Sequence, residues 1–381
     1  MSAAPRIVAV APGQPLAAET FSGTSRALLL ALERRGALVG AVDGRPRLLA
    51  ELEKAASFSP VRERWQHRYN AGTSPLSPAV RRAMSTVSAR RAAAAADDAN
   101  ALLQMTGWYD PASAASGMLR CSYHDGNLAQ FLRRPDLRID ARSRSVRRAL
   151  EYEQRLYDAV DLILCMSEGL RHSFVEDFGQ DPAKVVTAGA GANLRVPERA
   201  PERDFGRPRL LFVGKQFERK GGPTLLRAFT RVRARRPDAE LWIVGPTALR
   251  VSGPGVRMLG RIARVDPNGE ERIAHLYEQA TAFVMPSVYE PLGVALLEAM
   301  AYRLPCVGST VGAIPELVED GATGYVVPVG DDEALADRLL RLVEDPERAR
   351  RMGEAGFERF RSRYTWDAVA GRTVDEIAER L

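Results

Sequence analysis

Short apolar runs alternate with longer amphipathic segments along most of the chain. Residues 6–12 form an apolar run that predicts a buried strand, and residues 23–35 follow with Leu28, Leu29, Leu30 and Leu32 at mostly helical spacing. Residues 37–42 give a second strand. Residues 45–100 are mainly helical in pattern, with a long segment opened by Pro75-Leu76-Ser77-Pro78. Strands are predicted at 101–106 and 117–123, a helix at about 142–159, a strand at 162–166, a helix capped by Ser167, and a strand at 184–187. The alternation resumes with a strand at 209–213, a helix to about 235, a strand at 240–244, a loop at 256–262 and a helix at 270–280. Strands follow at 281–285 and 305–309, and the pattern is helical from 331 to 381. Such alternation builds parallel sheets with helices on both faces. Residues 195–209, rich in Pro, Glu and Arg, read as a linker between the two series. The predicted class is α/β, with two doubly wound Rossmann-like domains. These are an N-terminal domain at 1–195, a linker at 196–208, a C-terminal domain at 209–364 and a closing helix at 365–381.

Composition narrows the setting. A length of 381 residues suits two domains, and 45% hydrophobic with 27% charged residues is ordinary for a globular protein. No apolar run approaches the ~20 residues of a membrane span, and the first residues lack the pattern of a secretory leader. Cys121, Cys165 and Cys306 are widely spaced, which favours a reduced, cytoplasmic compartment. His67, His124, His172 and His275 form no metal-binding pair. The net charge of +6 is compatible with anionic ligands or an anionic membrane surface. Arg62, Arg64, Arg68, Arg81, Arg82, Arg90 and Arg91, and the arginines between 133 and 148, read either as solvated faces or as a peripheral membrane contact. No nucleic-acid partner is expected. Lysine is scarce: Lys54, Lys184, Lys215 and Lys220 are the only four, so the close pair Lys215 and Lys220 stands out.

Three places carry candidate chemistry. The first is the stretch from Pro286 to Met300. Glu290-Pro291 reads as a helix start, Gly293 leaves room for close approach, and the first turn of backbone N–H groups suits an anion. The helix beyond is apolar nearly all round except for Glu298. A buried carboxylate needs partners, and eight residues of helix from 290 to 298 would span about 12 Å. That matches the reach from a sugar across a diphosphate to a ribose; two acidic residues flanking a core helix by chance is the competing reading. The second place is Gly214 to Gly222, a strand-to-helix loop holding Lys215 and Lys220. It suits phosphates, though it is no Walker loop, and a solvated charged loop is its rival. The third is in the N-terminal half. His124 lies just after a strand, where ligands gather in open α/β sheets. Ser22, Gly23 and Thr24 open the first helix, either as caps or as an acceptor or phosphate loop.

The segment Pro-Ser-Val-Tyr-Glu-Pro-Leu-Gly-Val-Ala-Leu-Leu-Glu-Ala-Met-Ala, with Glu290 and Glu298, resembles the donor-site signature of glycosyltransferase family 4, retaining nucleotide-sugar enzymes of the GT-B fold. The resemblance extends over 209–366 and continues from about 117. It includes Ala188 to Asn193, Val311 to Glu316 and Gly321 to Gly324. It implies two Rossmann-like domains facing a cleft, with the last helix crossing back to the first domain at Tyr364-Thr365-Trp366. It further implies Gly214, Lys215 and Lys220 at the donor diphosphate, Arg261 and Ile262 at the base, and Glu290, Pro291, Leu292, Gly293 and Val294 at the sugar and phosphates. Glu298 would take the ribose, and His124 the sugar from the N-terminal domain. Lys215 stands where the family often has Arg, and Leu292 where it often has Phe. The implied activity is retaining, hexosyltransferase-type transfer from a nucleoside diphosphate sugar to an acceptor hydroxyl, with no cofactor. No Asp-x-Asp occurs, so no metal is expected. A GT-B epimerase and a non-catalytic nucleotide-sugar-binding protein share these features. A pyridoxal-phosphate phosphorylase would need a further lysine.

Overall fold

The computed structural model describes residues 4–17, 20–60, 65, 77–96, 98–107, 117–135, 140, 142–246, 251–263 and 266–381. Arg62, Arg64, Arg68 and the dipeptide Pro75-Leu76 lie outside the described residues. The chain divides into two units, Met1–Gly189 with Trp366–Leu381, and Ala190–Thr365.

In the first unit, β1 (Ile7–Ala11), β2 (Leu38–Asp43), β3 (Ala101–Met105), β4 (Leu119–His124), β5 (Leu162–Cys165) and β6 (Val185–Thr187) form a parallel sheet in the order β2-β1-β3-β4-β5-β6. Its helices are α1 (Thr24–Arg34), α2 (Arg47–Ala56), α3 (Ser77–Ala95), α4 (Leu128–Leu132), α5 (Arg144–Asp158) and α6 (Glu168–Phe178). Side chains start three of them. Asn127, Ser143 and Ser167 each accept a backbone N–H three residues on, which satisfies a donor the helix cannot. Arg81 of α3 is not part of a basic face. It is buried and its Nε lies 3.1 Å from Oε1 of the fully buried Glu53, whereas Arg82, Arg90 and Arg91 are exposed.

In the second unit, the elements are β7 (Arg209–Val213), α7 (Gly222–Arg235), β8 (Glu240–Val244), β9 (Val256–Gly260), α8 (Gly269–Gln279), β10 (Ala282–Met285), α9 (Val294–Ala301), β11 (Cys306–Ser309), α10 (Ile314–Leu317), β12 (Gly324–Val327), α11 (Asp332–Val343) and α12 (Pro346–Arg363). The parallel sheet runs β12-β11-β10-β7-β8-β9. Residues 256–260 thus form an edge strand, paired to β8 from Leu241 opposite Val256, where the sequence suggested only a loop. The run is short and partly exposed, so it lacks the apolar core signal of an inner strand.

The units part at Gly189/Ala190, six residues before the expected boundary, and residues 196–208 pack with the second unit. Local bonds explain this. The Tyr302 hydroxyl donates to the Arg195 carbonyl at 2.9 Å, and Arg203 donates to the carbonyls of Ala280 (2.8 Å) and Tyr302. The last helix, α13 (Trp366–Ala378), belongs to the first unit. Arg34 pairs with Asp367 at 2.8 Å, Arg372 donates to the Ala188 carbonyl, and Val369, Ala370 and Ile377 are fully buried. All three cysteines are buried free thiols. Among the described residues, no helix is long and apolar enough to cross a membrane.

Ile377→Ala should therefore destabilise the first unit by about 2–4 kcal/mol through the cavity it leaves. Denaturant unfolding followed by separate probes in the two units should show the first unit's midpoint falling and the second's unchanged.

Candidate functional site

In the second sheet the first strand, β7, lies between β8 and β10, so the chain winds one way through β8 and β9 and then the other way from β10. Loops leaving the carboxyl ends of β7 and β10 must diverge above this point, which is where open α/β sheets bind ligands. Gly214 to Gly221 leaves β7, and Pro286 to Gly293 leaves β10.

The two loops touch backbone to backbone. The Val288 N–H donates to the Arg219 carbonyl at 2.8 Å. From the end of β11, the Ser309 hydroxyl also holds the second loop, donating to the Ser287 carbonyl at 2.6 Å. Gly221, at φ +76°, is so close to the second loop that a Cβ there would lie 1.8 Å from the Pro286 carbonyl oxygen. A Cβ on Gly312 would lie 1.7 Å from the Glu290 carbonyl oxygen. Only glycine fits at either position.

This contact brings charged side chains together. Lys220 Nζ lies 2.8 Å from Glu290 Oε2 and 3.1 Å from the Met285 sulfur. Its aliphatic stem runs over Gly214, where a Cβ would meet Lys220 Cδ at 2.1 Å. The Arg219 guanidinium is 3.6 Å from the same Glu290 oxygen, donates to the Tyr289 carbonyl, and is 5.9 Å from the centre of the Tyr289 ring. Glu290 itself is 8% exposed. Lys220 and Glu290, read from the sequence as touching different parts of one ligand, are thus bonded to each other here.

Helix α9 begins at Val294, not at Glu290-Pro291. Gly293 sits at φ +96° as its N-cap with no side-chain cap, and this left-handed residue separates Pro291 and Leu292 from the helix. Glu298 therefore stands in the second turn of α9, 2% exposed. The Tyr277 hydroxyl donates to Glu298 Oε2 at 3.2 Å. Tyr277 is fully buried and stacks between Phe283 and Tyr302. Lys215 and Arg261 are exposed and Ile262 half-buried, with Arg261 and Ile262 just past the carboxyl end of β9. Among the described residues, no group of three or more His, Cys, Asp or Glu side chains could hold a metal ion.

In the first unit, His124 is the last residue of β4, 1% exposed, with its ring edge-on to Tyr157 and Phe174 at 5.5 and 5.0 Å between centroids. Gly107 closes another side, since a Cβ there would be 3.2 Å from His124 Cε1. Burial pushes the imidazole pKa down to about 3, so the ring is neutral. Nε2 is buried and has no hydrogen-bond partner among the described residues. The Tyr157 hydroxyl donates to Glu153 at 2.9 Å, and burial raises the pKa of both groups. At the start of α1, Gly23 is the N-cap at φ +87° with no side-chain cap, so the opening of this helix is not a serine or threonine cap. Ser22 lies in a single 3-10 turn, Thr20–Gly23, and Thr24 is buried.

Arg219, Tyr277 and Met285 were not picked out from the sequence. Arg219 stood beside a chosen lysine. Tyr277 shares a buried helix face with Ile273 four residues earlier, a pattern that says core and no more.

The fold and this loop pair define a doubly wound α/β protein with a cluster of charged side chains at a topological switch point. Residues 207–345 match the family model of glycosyl transferases group 1. Together with the two sheets, this makes the chain like glycosyltransferase family 4, with the two-domain Rossmann-like GT-B fold. The chain is 32% identical over 253 residues to an alpha-maltose-1-phosphate synthase of Mycolicibacterium smegmatis, covering 58% of this chain and 64% of that protein. It is 28% identical over 239 residues to a D-inositol 3-phosphate glycosyltransferase of Corynebacterium diphtheriae, covering 57% and 56%. The matches thus span less than two thirds of the relatives' length. Among solved structures, the sucrose-phosphate synthase of Thermosynechococcus elongatus superposes with a TM-score of 0.70 at 20% identity, covering 97% of both chains. WaaG, a glycosyltransferase of lipopolysaccharide biosynthesis, gives 0.62 at 13%, covering 97% and 99%.

Gly221→Ala should force the two loops apart and cost at least ~1–3 kcal/mol through its positive φ alone. Thermal unfolding should show the loss. Acid should weaken the first unit through His124. Its folded pKa is depressed, so the unfolded chain binds the extra proton, and stability falls as pH drops below about 6.5 towards 3. Between pH 7 and 5 this amounts to about 2 kcal/mol. Urea titrations across that range should show a smaller slope for His124→Gln.

Proposed function

We propose that the chain is a retaining glycosyltransferase that moves a hexose from a nucleoside diphosphate sugar to an acceptor hydroxyl. The observation that carries this is the meeting of Lys220, Arg219 and Glu290 at the β7/β10 switch point, with Glu298 on the adjoining α9. In this reading the diphosphate lies against Gly214, Lys215, Lys220 and the uncapped N-terminus of α9. These groups offset the charge that develops on the departing phosphate. Glu290 takes sugar hydroxyls, Glu298 the ribose, and Arg261 and Ile262 flank the base. His124, neutral and with a buried Nε2 that has no partner among the described residues, is a further candidate hydrogen-bonding group. Its protonation state does not change across the physiological range, which suits orientation and not proton transfer.

The acceptor proton goes to the leaving phosphate in a front-side displacement, so that no protein nucleophile and no metal ion take part. Relatives named for maltose 1-phosphate and inositol 3-phosphate favour a small polar acceptor, phosphorylated or yielding a phosphorylated product. The three free thiols fit a reaction in the cytoplasm. The exposed arginines of α3 are the candidates for peripheral contact with an anionic membrane.

Calorimetric titration with UDP, GDP and ADP, each with and without a divalent cation, tests this directly. One nucleotide should bind without metal, and its sugar conjugate should be consumed only when an acceptor is present. Conversion of the donor alone to an epimer, or binding without turnover of any acceptor, would replace the proposal by an epimerase or a sensor. Glu298→Ala should weaken nucleotide binding by about 1–3 kcal/mol through lost ribose hydrogen bonds. Unchanged affinity would remove Glu298 from the site.

A further inference from the structure

Glu290 faces two cations, Lys220 at 2.8 Å and Arg219 at 3.6 Å, and its side chain is only 10% exposed. We propose that Arg219 is the positioning residue that takes over the Glu290 carboxylate when Lys220 turns to the donor phosphates. The inference rests on the donor-site reading above.

The two cations are held differently. Lys220 is on a flexible stem over Gly214, and besides Glu290 its ammonium meets the Met285 thioether, a weak acceptor. Arg219 is fixed at three points. Nε donates to Gln216 Oε1, NH1 donates to the Tyr289 carbonyl, and the Arg219 carbonyl accepts the Val288 N–H. Lys220 is therefore the cation that can move, and Arg219 the one that stays.

Without Arg219, departure of Lys220 would leave a nearly buried carboxylate with no counter-charge. Removing one partner from a buried pair is strongly unfavourable. Arg219 NH1 carries two hydrogens, one of which is on Tyr289. The second can serve Glu290 after a small rotation of the glutamate. The exchange keeps the carboxylate charged and aimed at sugar hydroxyls while the ammonium neutralises phosphate. No proton moves and the charge count of the loops is unchanged.

The test is a binding cycle on the full chain with whichever of UDP, GDP or ADP binds the wild type. Its members are the wild type, Arg219→Gln, Glu290→Gln and the double variant. Arg219→Gln should weaken binding roughly tenfold or more while Glu290 is present. With Gln at 290 there is no charge to orphan, and the same change should cost about twofold or less. Arg219→Lys, which restores charge without the fork, should recover most of the affinity. An equal loss in both backgrounds would make Arg219 a loop anchor or a direct phosphate ligand and would overturn the proposal. Thermal unfolding of each variant separates folding loss from binding loss. Absence of nucleotide binding by folded wild type would overturn the donor-site reading and this inference with it.

Discussion

The second unit depends on two backbones approaching more closely than any side chain would allow. The loop after β7 and the loop after β10 come from places some seventy residues apart, yet Gly221 of the first rests on the Pro286 carbonyl of the second, while Gly312, in the loop after β11, rests on the carbonyl of Glu290. Sheet order brings them to the same spot, because the winding reverses between β7 and β10. Glycine lets them close. Only then can an ammonium, a guanidinium and a carboxylate share a space from which most water is excluded, where their interaction is stronger than at a solvated surface.

The two units use opposite electrostatic means. The second gathers opposite charges and lets them compensate one another. Around His124 the first strips charge away. His124, between Tyr157 and Phe174, is held neutral by burial, and the polar groups around it, Tyr157 and Glu153, satisfy each other. Elsewhere in the same unit a full ion pair, Arg81 of α3 with Glu53 of α2, is buried. Such a pair is weak evidence for stability, because the desolvation of both ions offsets most of their attraction.

The fold was legible in the sequence because inner parallel strands must be apolar throughout, and runs such as 209–213 and 240–244 coincide with β7 and β8 residue for residue. The edge strand β9 was not legible, since an exposed edge has no such requirement. The start of α9 was misplaced because Pro291 signals a first turn, whereas the left-handed Gly293 delays it; the positive φ of a glycine leaves no trace in a sequence. Lys220, Glu290 and Glu298 could be chosen from charge in an apolar context. Their partners could not. Tyr277 looks like any core aromatic, and Arg219 is one of fifty arginines. Pairing is a property of the fold, and neither one-residue identity nor spacing encodes it. The arginines of 62–91 illustrate the converse: composition suggested a common face, and Arg81 alone of the described ones turned inward.

The helix at the end of the chain packs on its first helix, so the first unit is made of two pieces with the whole second unit between them. A ribosome delivers the two pieces of that unit separated by 176 residues. Until α13 emerges, the part of the first unit that it packs on lacks that partner, whereas the second unit is one continuous stretch and can complete its sheet as it appears. Synthesis thus lets the second unit, continuous in sequence, complete its sheet before the first unit receives α13.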